Sequence, residues 1–104
     1  VQHLNLLPLD LDEATLQPEY YDVVVVVRFI KRGLMPVLRQ AVRPGGRVIY
    51  QNPNTQYLHK DPNYDPEQLF RVGELIGYFA DWNILHKSNV NGVSQLVASK
   101  PGNA

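Results

Sequence analysis

The sequence predicts an α/β domain built on a pair of parallel strands, and three observations within residues 21–50 predict it. Five consecutive valines, Val23–Val27, form a short apolar run bounded by charge. β-Branched side chains suit a pleated surface, and an unbroken rather than alternating run suggests a strand covered on both faces, as in a parallel sheet. A helical pattern follows, with Leu34, Val37, Leu38, Ala41 and Val42 at three- and four-residue spacing. Pro44-Gly45-Gly46 then stops the helix, and Val48-Ile49-Tyr50 reads as the next strand. Strand, helix and strand at this spacing make a right-handed βαβ unit. Pro36 fits the first turn of the helix, where a missing N–H is harmless.

The other elements are placed in chain order. Val1–Leu11 is apolar enough for a strand, but Pro8 cannot donate to a ladder and limits it to roughly the first seven residues. Asp10, Leu11, Asp12 and Glu13 then fall at what would be that strand's carboxyl end. In open α/β sheets ligands bind there, so a carboxylate can accept from a ribose hydroxyl or an adenine amino group; equally, Asp10 or Asp12 can cap a short turn through Ala14 to Leu16. Gln17-Pro18-Glu19 connects into the valine strand. Arg28-Phe29-Ile30 leaves that strand at the same rim, where Phe29 either packs on a flat ligand ring or plugs the core, and Arg28 either binds an anion or solvates the loop. From Gln51 to Pro66 the chain is rich in Asn, Pro, Asp and Tyr without periodicity. That is a long loop beside the rim, a binding loop or a plain surface one, offering Gln51, Asn52, Tyr57, His59 and Tyr64. A second amphipathic helix runs from Pro66 or Gly73 to Ala80, with Leu75, Ile76 and Phe79 as its stripe and Glu74 suiting its dipole. Trp82–His86 reads as a strand, Asn89–Gly92 as a hairpin turn, and Val93–Ser99 as a final antiparallel strand.

Composition narrows the chemistry. With 104 residues the chain is at most one domain, small for a complete doubly wound sheet. No run approaches a membrane span, the start lacks a signal peptide's order, and no cysteine is present, which removes disulfides, thiolate metal sites and cysteine nucleophiles. A cytoplasmic protein is expected. Ten basic and ten acidic residues cancel, which argues against bulk attraction to nucleic acid. The charges are nevertheless uneven. Asp10, Asp12, Glu13, Glu19 and Asp22 precede a stretch without acids that carries Arg28, Lys31, Arg32, Arg39, Arg43, Arg47 and Lys60. That stretch reads as a solvated face balanced by the acidic segment, or as a surface for an anion. No serine has a nucleophile-elbow context, and His3, His59 and His86 have no metal-ligand spacing.

Four segments, YDVVVVVRF, LMPVLRQAVRPGGRVIY, FRVGELIGYFADWNILHK and VSQLVASKP, together resemble the carboxyl half of a class I S-adenosylmethionine-dependent methyltransferase, with the small tellurite-resistance-like methyltransferases as the most similar subgroup. The Pro-Gly-Gly element before a hydrophobic strand is the most specific part. The resemblance implies a Rossmann-like sheet with a terminal antiparallel strand, and S-adenosyl-L-methionine as cofactor of the complete domain. It also implies that Asp10 and Leu11 meet the adenine, that Arg28 and Phe29 line the methionine end, and that Gln51 and Asn52 lie at the substrate mouth, with Tyr57 in the loop beside them. The acceptor is a small molecule or another group that the residues do not identify.

The family's glycine-rich loop and the acid after its second strand have no counterpart here, since Gly45-Gly46 lies before a strand and not between a strand and a helix. The expectation is therefore a single partial methyltransferase domain over residues 1–104, a fragment or truncated form that is inactive alone. A valine strand without its usual neighbour exposes a flat edge. A second copy, or the Val1–Leu7 segment, is expected to cover it. A non-catalytic interaction or dimerisation module is the alternative function.

Overall fold

The computed structural model describes residues 4–6 and 18–102. Five strands form one mixed sheet: β1 (Leu4–Leu6), β2 (Tyr21–Val27), β3 (Val42–Pro53), β4 (Asn83–Val90) and β5 (Val93–Ser99), in the spatial order β1-β2-β3-β5-β4. β1, β2 and β3 run parallel, and β5 pairs antiparallel with both β3 and β4. The helix α1 (Met35–Ala41), entered through a tight turn at Arg32–Leu34, carries the chain from β2 to the parallel β3. A second, shorter helix, α2 (Glu74–Gly77), precedes the β4–β5 hairpin. The predicted parallel pair, the bridging helix and the terminal antiparallel strand are all present. The Leu4–Leu6 backbone pairs with Val23–Val25, so part of the valine edge is covered by the chain's own first strand.

One core holds these elements together. Val24 and Val26 of β2, Val48 and Tyr50 of β3, and Leu96 and Ala98 of β5 point to one face of the sheet. There they meet Leu34, Met35, Leu38 and Ala41 around α1, and Leu75 and Phe79 around α2. Each Val, Leu, Met or Phe among them contributes roughly 1.5–3 kcal/mol by leaving water. The opposite face corrects one expectation. The valine run is not covered on both sides: Val23 and Val25 are only half-buried and Val27 is 49% exposed. The reason is that both helices pack into the same core, so among the described residues nothing layers the second face. Cross-strand registers arrange that face in rows, with Val25–Ile49–Val97 as an apolar centre between the Val23–Arg47–Ser99 and Val27–Gln51–Gln95 rows.

The junction between α1 and β3 also departs from the sequence reading. The helix ends at Ala41. Val42 is already extended and pairs with Tyr21, and Pro44-Gly45-Gly46 lies inside β3, where the register slips from Tyr21–Val42 to Val23–Arg47. That bulge needs glycine twice. Gly45 has φ +83°, and a Cβ on Gly46 would lie 2.7 Å from the Asp22 carbonyl oxygen and 2.9 Å from Val42 Cγ1. The Lys100 Nζ donates to the carbonyls of Arg39 and Val42, each at 2.8 Å, which satisfies orphan acceptors at the helix end. Because β3 runs on to Pro53, Gln51 and Asn52 belong to a strand rather than to a loop.

Beyond it the chain is less irregular than expected. Tight helical turns at Thr55–His59 and Pro66–Gln68 are followed by a parallel bridge between Asn54 and Phe70. α2 begins only at Glu74, after Gly73 in the left-handed region (φ +85°). The hairpin turn is the two residues Asn91-Gly92, both with positive φ as a type I′ turn requires, so β4 extends to Val90. β4 is an outer strand, and Leu85 is an extra residue in it, inserted where the register passes from Ile84–Ala98 to His86–Val97. No helix among the described residues is long and apolar enough to cross a membrane.

Candidate functional site

Parallel strands end together, and side chains just past their carboxyl ends converge by construction. β2 and β3 deliver Arg28 and Phe29 beside Gln51 and Asn52. The Arg28 N–H bonds the Gln51 carbonyl at 2.9 Å, so the two chain ends are stitched into one rim. Arg28 is exposed, sits at φ +53°, and has no acidic partner among the described residues. Phe29 is half-buried against the core, and its carbonyl accepts a hydrogen bond from the Tyr50 hydroxyl. Burial raises the Tyr50 pKa, so this phenol stays protonated as a donor.

Gln51 and Asn52 are adjacent but serve opposite faces, as strand alternation requires. Gln51 faces the uncovered side, where its Oε1 accepts from Gln95 Nε2 (2.9 Å) while Gln95 Oε1 accepts from the Ser88 hydroxyl (3.2 Å). Next to this polar ladder lies a shallow recess of about 290 Å³ bordered by Gln51, Lys60, Val90, Val93 and Gln95. Asn52 is buried, and its Nδ2 donates to the carbonyls of Pro53 (2.8 Å) and Gln68 (3.0 Å). It ties down the following loop. Tyr57 packs edge-on against Tyr64 with ring centres 5.1 Å apart, lies 5.7 Å from Lys60 Nζ, and rests on the hairpin turn. A Cβ on Gly92 would fall 2.6 Å from the Tyr57 backbone. Asp10 and Leu11 lie outside the described residues.

Two polar clusters at this end escaped the sequence reading. Glu74, whose side chain is only 7% exposed, accepts from Arg32 Nε (2.6 Å), Arg32 Nη2 (3.1 Å), the Tyr78 hydroxyl (2.6 Å) and the Arg71 N–H (2.9 Å). The Arg32 bond above all, with help from Tyr78 and Arg71 and against the cost of burial, holds the Glu74 pKa down at about 2. Arg32 also donates to the Leu69 carbonyl (3.1 Å) and lies 5.8 Å from the Phe70 ring centre. The second cluster is Asn54, fully buried, whose Nδ2 donates to Asn89 Oδ1 (3.0 Å) and Ser94 Oγ (2.8 Å). Glu74 was legible only as an acid near a helix start, and no local pattern marks Asn54. Three cations of the basic stretch prove to be structural. Arg32 pairs with Glu74, Arg39 holds Asp81 through both nitrogens (2.8 and 2.6 Å), and Arg43 pairs with Asp22.

The fit to the expected cofactor is one-sided. Arg28 offers a cation for a carboxylate, but the carboxylate described at this end, Glu74, is already taken up by Arg32, Tyr78 and the Arg71 N–H. The polar side chains buried there, Asn52 and Asn54, are already satisfied by the protein. No group of three metal-binding side chains occurs among the described residues.

Strand order and direction define a mixed α/β sheet, a fold shared with solved methyltransferase structures. Among solved structures, TehB from Haemophilus influenzae superimposes with a TM-score of 0.66 at 18% identity, over 85% of this chain and 38% of its own. A SAM-dependent methyltransferase from Methanosarcina mazei gives 0.59 at 15% identity, over 86% of this chain and 63% of its own. An O-methyltransferase family protein from Burkholderia thailandensis gives 0.59 at 15% identity, over 89% and 34%. The chain thus spans less than two thirds of each of these neighbours, and what they share with it is the fold. No family model matches the sequence, and no curated protein matches it.

Proposed function

We propose that these 104 residues are the carboxyl-terminal part of an S-adenosylmethionine-dependent methyltransferase of the tellurite-resistance-like subgroup, and that they transfer no methyl group alone. The observation that supports this best is the parallel β2–β3 pair with α1 between and β5 antiparallel beside it, in a fold that superimposes on methyltransferase structures over most of the chain. In this reading Asp10 and Leu11 meet the adenine, Arg28 and Phe29 line the methionine end, and Gln51 and Tyr57 face the acceptor while Asn52 holds the loop beneath. The cofactor brings an already activated sulfonium methyl, so the residues' task is to position it and exclude water. The test is a calorimetric titration of the full gene product that carries these residues with S-adenosylmethionine. Micromolar binding that Arg28→Ala weakens is the expected result; silence overturns the reading.

A second reading, a self-associating module, is favoured by one observation. The Val25–Ile49–Val97 row and the half-exposed Val27 leave apolar surface beside an edge that Leu4–Leu6 pairs only along Val23–Val25. A chain silent toward cofactor that sediments as a dimer fits this reading instead.

A further inference from the structure

A cleft of about 320 Å³ opens between α2 and the β4–β5 hairpin, on the helix-covered side of the sheet, whereas Gln51 faces the uncovered side. Its walls divide by chemistry. Val72 and Ile76 supply an apolar side, and Lys87, Asn89 and Ser94 supply a polar one. The strand register explains the polar side: Lys87 stands opposite Leu96 and Asn89 opposite Ser94, so both project toward the helices. Asn89 and Ser94 are held in place. Buried Asn54 donates to both Asn89 and Ser94, and Asn89 Nδ2 donates to Gln56 Oε1 at 2.9 Å. The Ser94 oxygen therefore already accepts, and its own proton has no acceptor among the described residues. Lys87 has no acidic partner there either.

We propose that this cleft binds a small monocarboxylate with an apolar body. One unpaired ammonium and one hydroxyl donor match the charge and the acceptors of a single carboxylate. Val72, more than half exposed, would be covered by the ligand's hydrocarbon part. The volume lies at the small end of ligand sites, which suits one ring with a short chain. The site goes beyond the cofactor reading and stands whether or not the chain binds S-adenosylmethionine.

The experiment is a titration of the 15N-labelled chain with 4-phenylbutyrate and, separately, with the neutral 4-phenylbutyramide, followed by two-dimensional NMR. The expected result is a saturable shift of the Ile76, Lys87, Asn89 and Ser94 amides, with affinity in roughly the millimolar range for a ligand this size. The amide should bind about tenfold more weakly, and Lys87→Gln should weaken the acid by about the same factor while leaving the amide unchanged. Lys87 is an exposed side chain on an outer strand, so the variant keeps its fold, which its spectrum verifies directly. No shift at about 20 mM acid, roughly ten times the expected constant, would overturn the proposal. So would shifts centred on other residues, equal binding of acid and amide, or a Lys87→Gln variant that binds the acid as tightly as the parent.

Discussion

Replacing Glu74 by Gln tests whether the loop after β2 is fastened to α2 by charge. The carboxylate takes four donors, two from Arg32 and one each from Tyr78 and the Arg71 N–H. A glutamine of the same shape offers one oxygen, and turns an amide toward donors that then have no acceptor. The pKa of Glu74 falls from 4.5 to about 2 on folding. At about 1.4 kcal/mol per unit that shift is worth about 3 kcal/mol. Arg32 is 43% exposed, so solvent screens the pair and about 2 kcal/mol is the reasonable expectation. The sign follows from the direction of the shift. A carboxyl whose folded pKa is depressed stabilises above its unfolded value, and loses that contribution as pH falls through the folded one. Urea unfolding followed by Trp82, the single tryptophan and a buried one, reads the difference. The variant should be less stable by about 2 kcal/mol at pH 7. The gap should begin to narrow below pH 4.5 and be nearly closed near pH 2. A gap that stays constant across that range, or no gap at pH 7, would refute the assignment.

Two further substitutions probe the α1–β3 junction. Gly46→Ala places a methyl 2.7 Å from a backbone carbonyl that cannot turn away, so a loss of about 1–3 kcal/mol in thermal or urea unfolding is expected; a neutral result would mean that the bulge relaxes. Lys100→Met keeps the apolar stem but removes two charge-assisted bonds to the Arg39 and Val42 carbonyls, and should cost roughly 1–2 kcal/mol by the same measurement. A variant as stable as the parent would show those carbonyls to be adequately served by water.

What the sequence disclosed, and what it hid, follows the range of the interactions. The valine strand and the Val93–Ser99 strand are local periodicities that lie where their patterns put them. Of the Leu34–Val42 stripe, all but its ends, Leu34 in the entering turn and Val42 in β3, falls within α1. The Asn-Gly turn is likewise written in adjacent residues. The continuation of β3 through Pro44-Gly45-Gly46 was not legible. That triplet stops a helix in sequence terms, and only pairing with Tyr21 on one side and the Gly45–Lys100 backbone bond on the other makes it a bulged strand. Arg32–Glu74 and Arg39–Asp81 each join residues 42 positions apart. No pattern along the chain announces a pair brought together by folding over a sheet. Of the site, the rim positions of Arg28, Phe29 and Gln51 were readable because strand ends fix them. That Asn52 turns inward was not, because it depends on β3 running on beyond its apolar Val48–Tyr50 segment.

The bulge at Leu85 has a consequence for solubility. An outer strand presents a row of unused backbone donors and acceptors, an invitation to stacking chain upon chain. β4 is eight residues long and carries the exposed apolar side chains Leu85 and Val90. The extra residue kinks the ribbon and throws its hydrogen-bonding groups out of step with any straight strand that approaches. Lys87, two residues further along, adds a charge that an incoming copy would have to bring up against its own. This outer strand thus carries two deterrents within three residues.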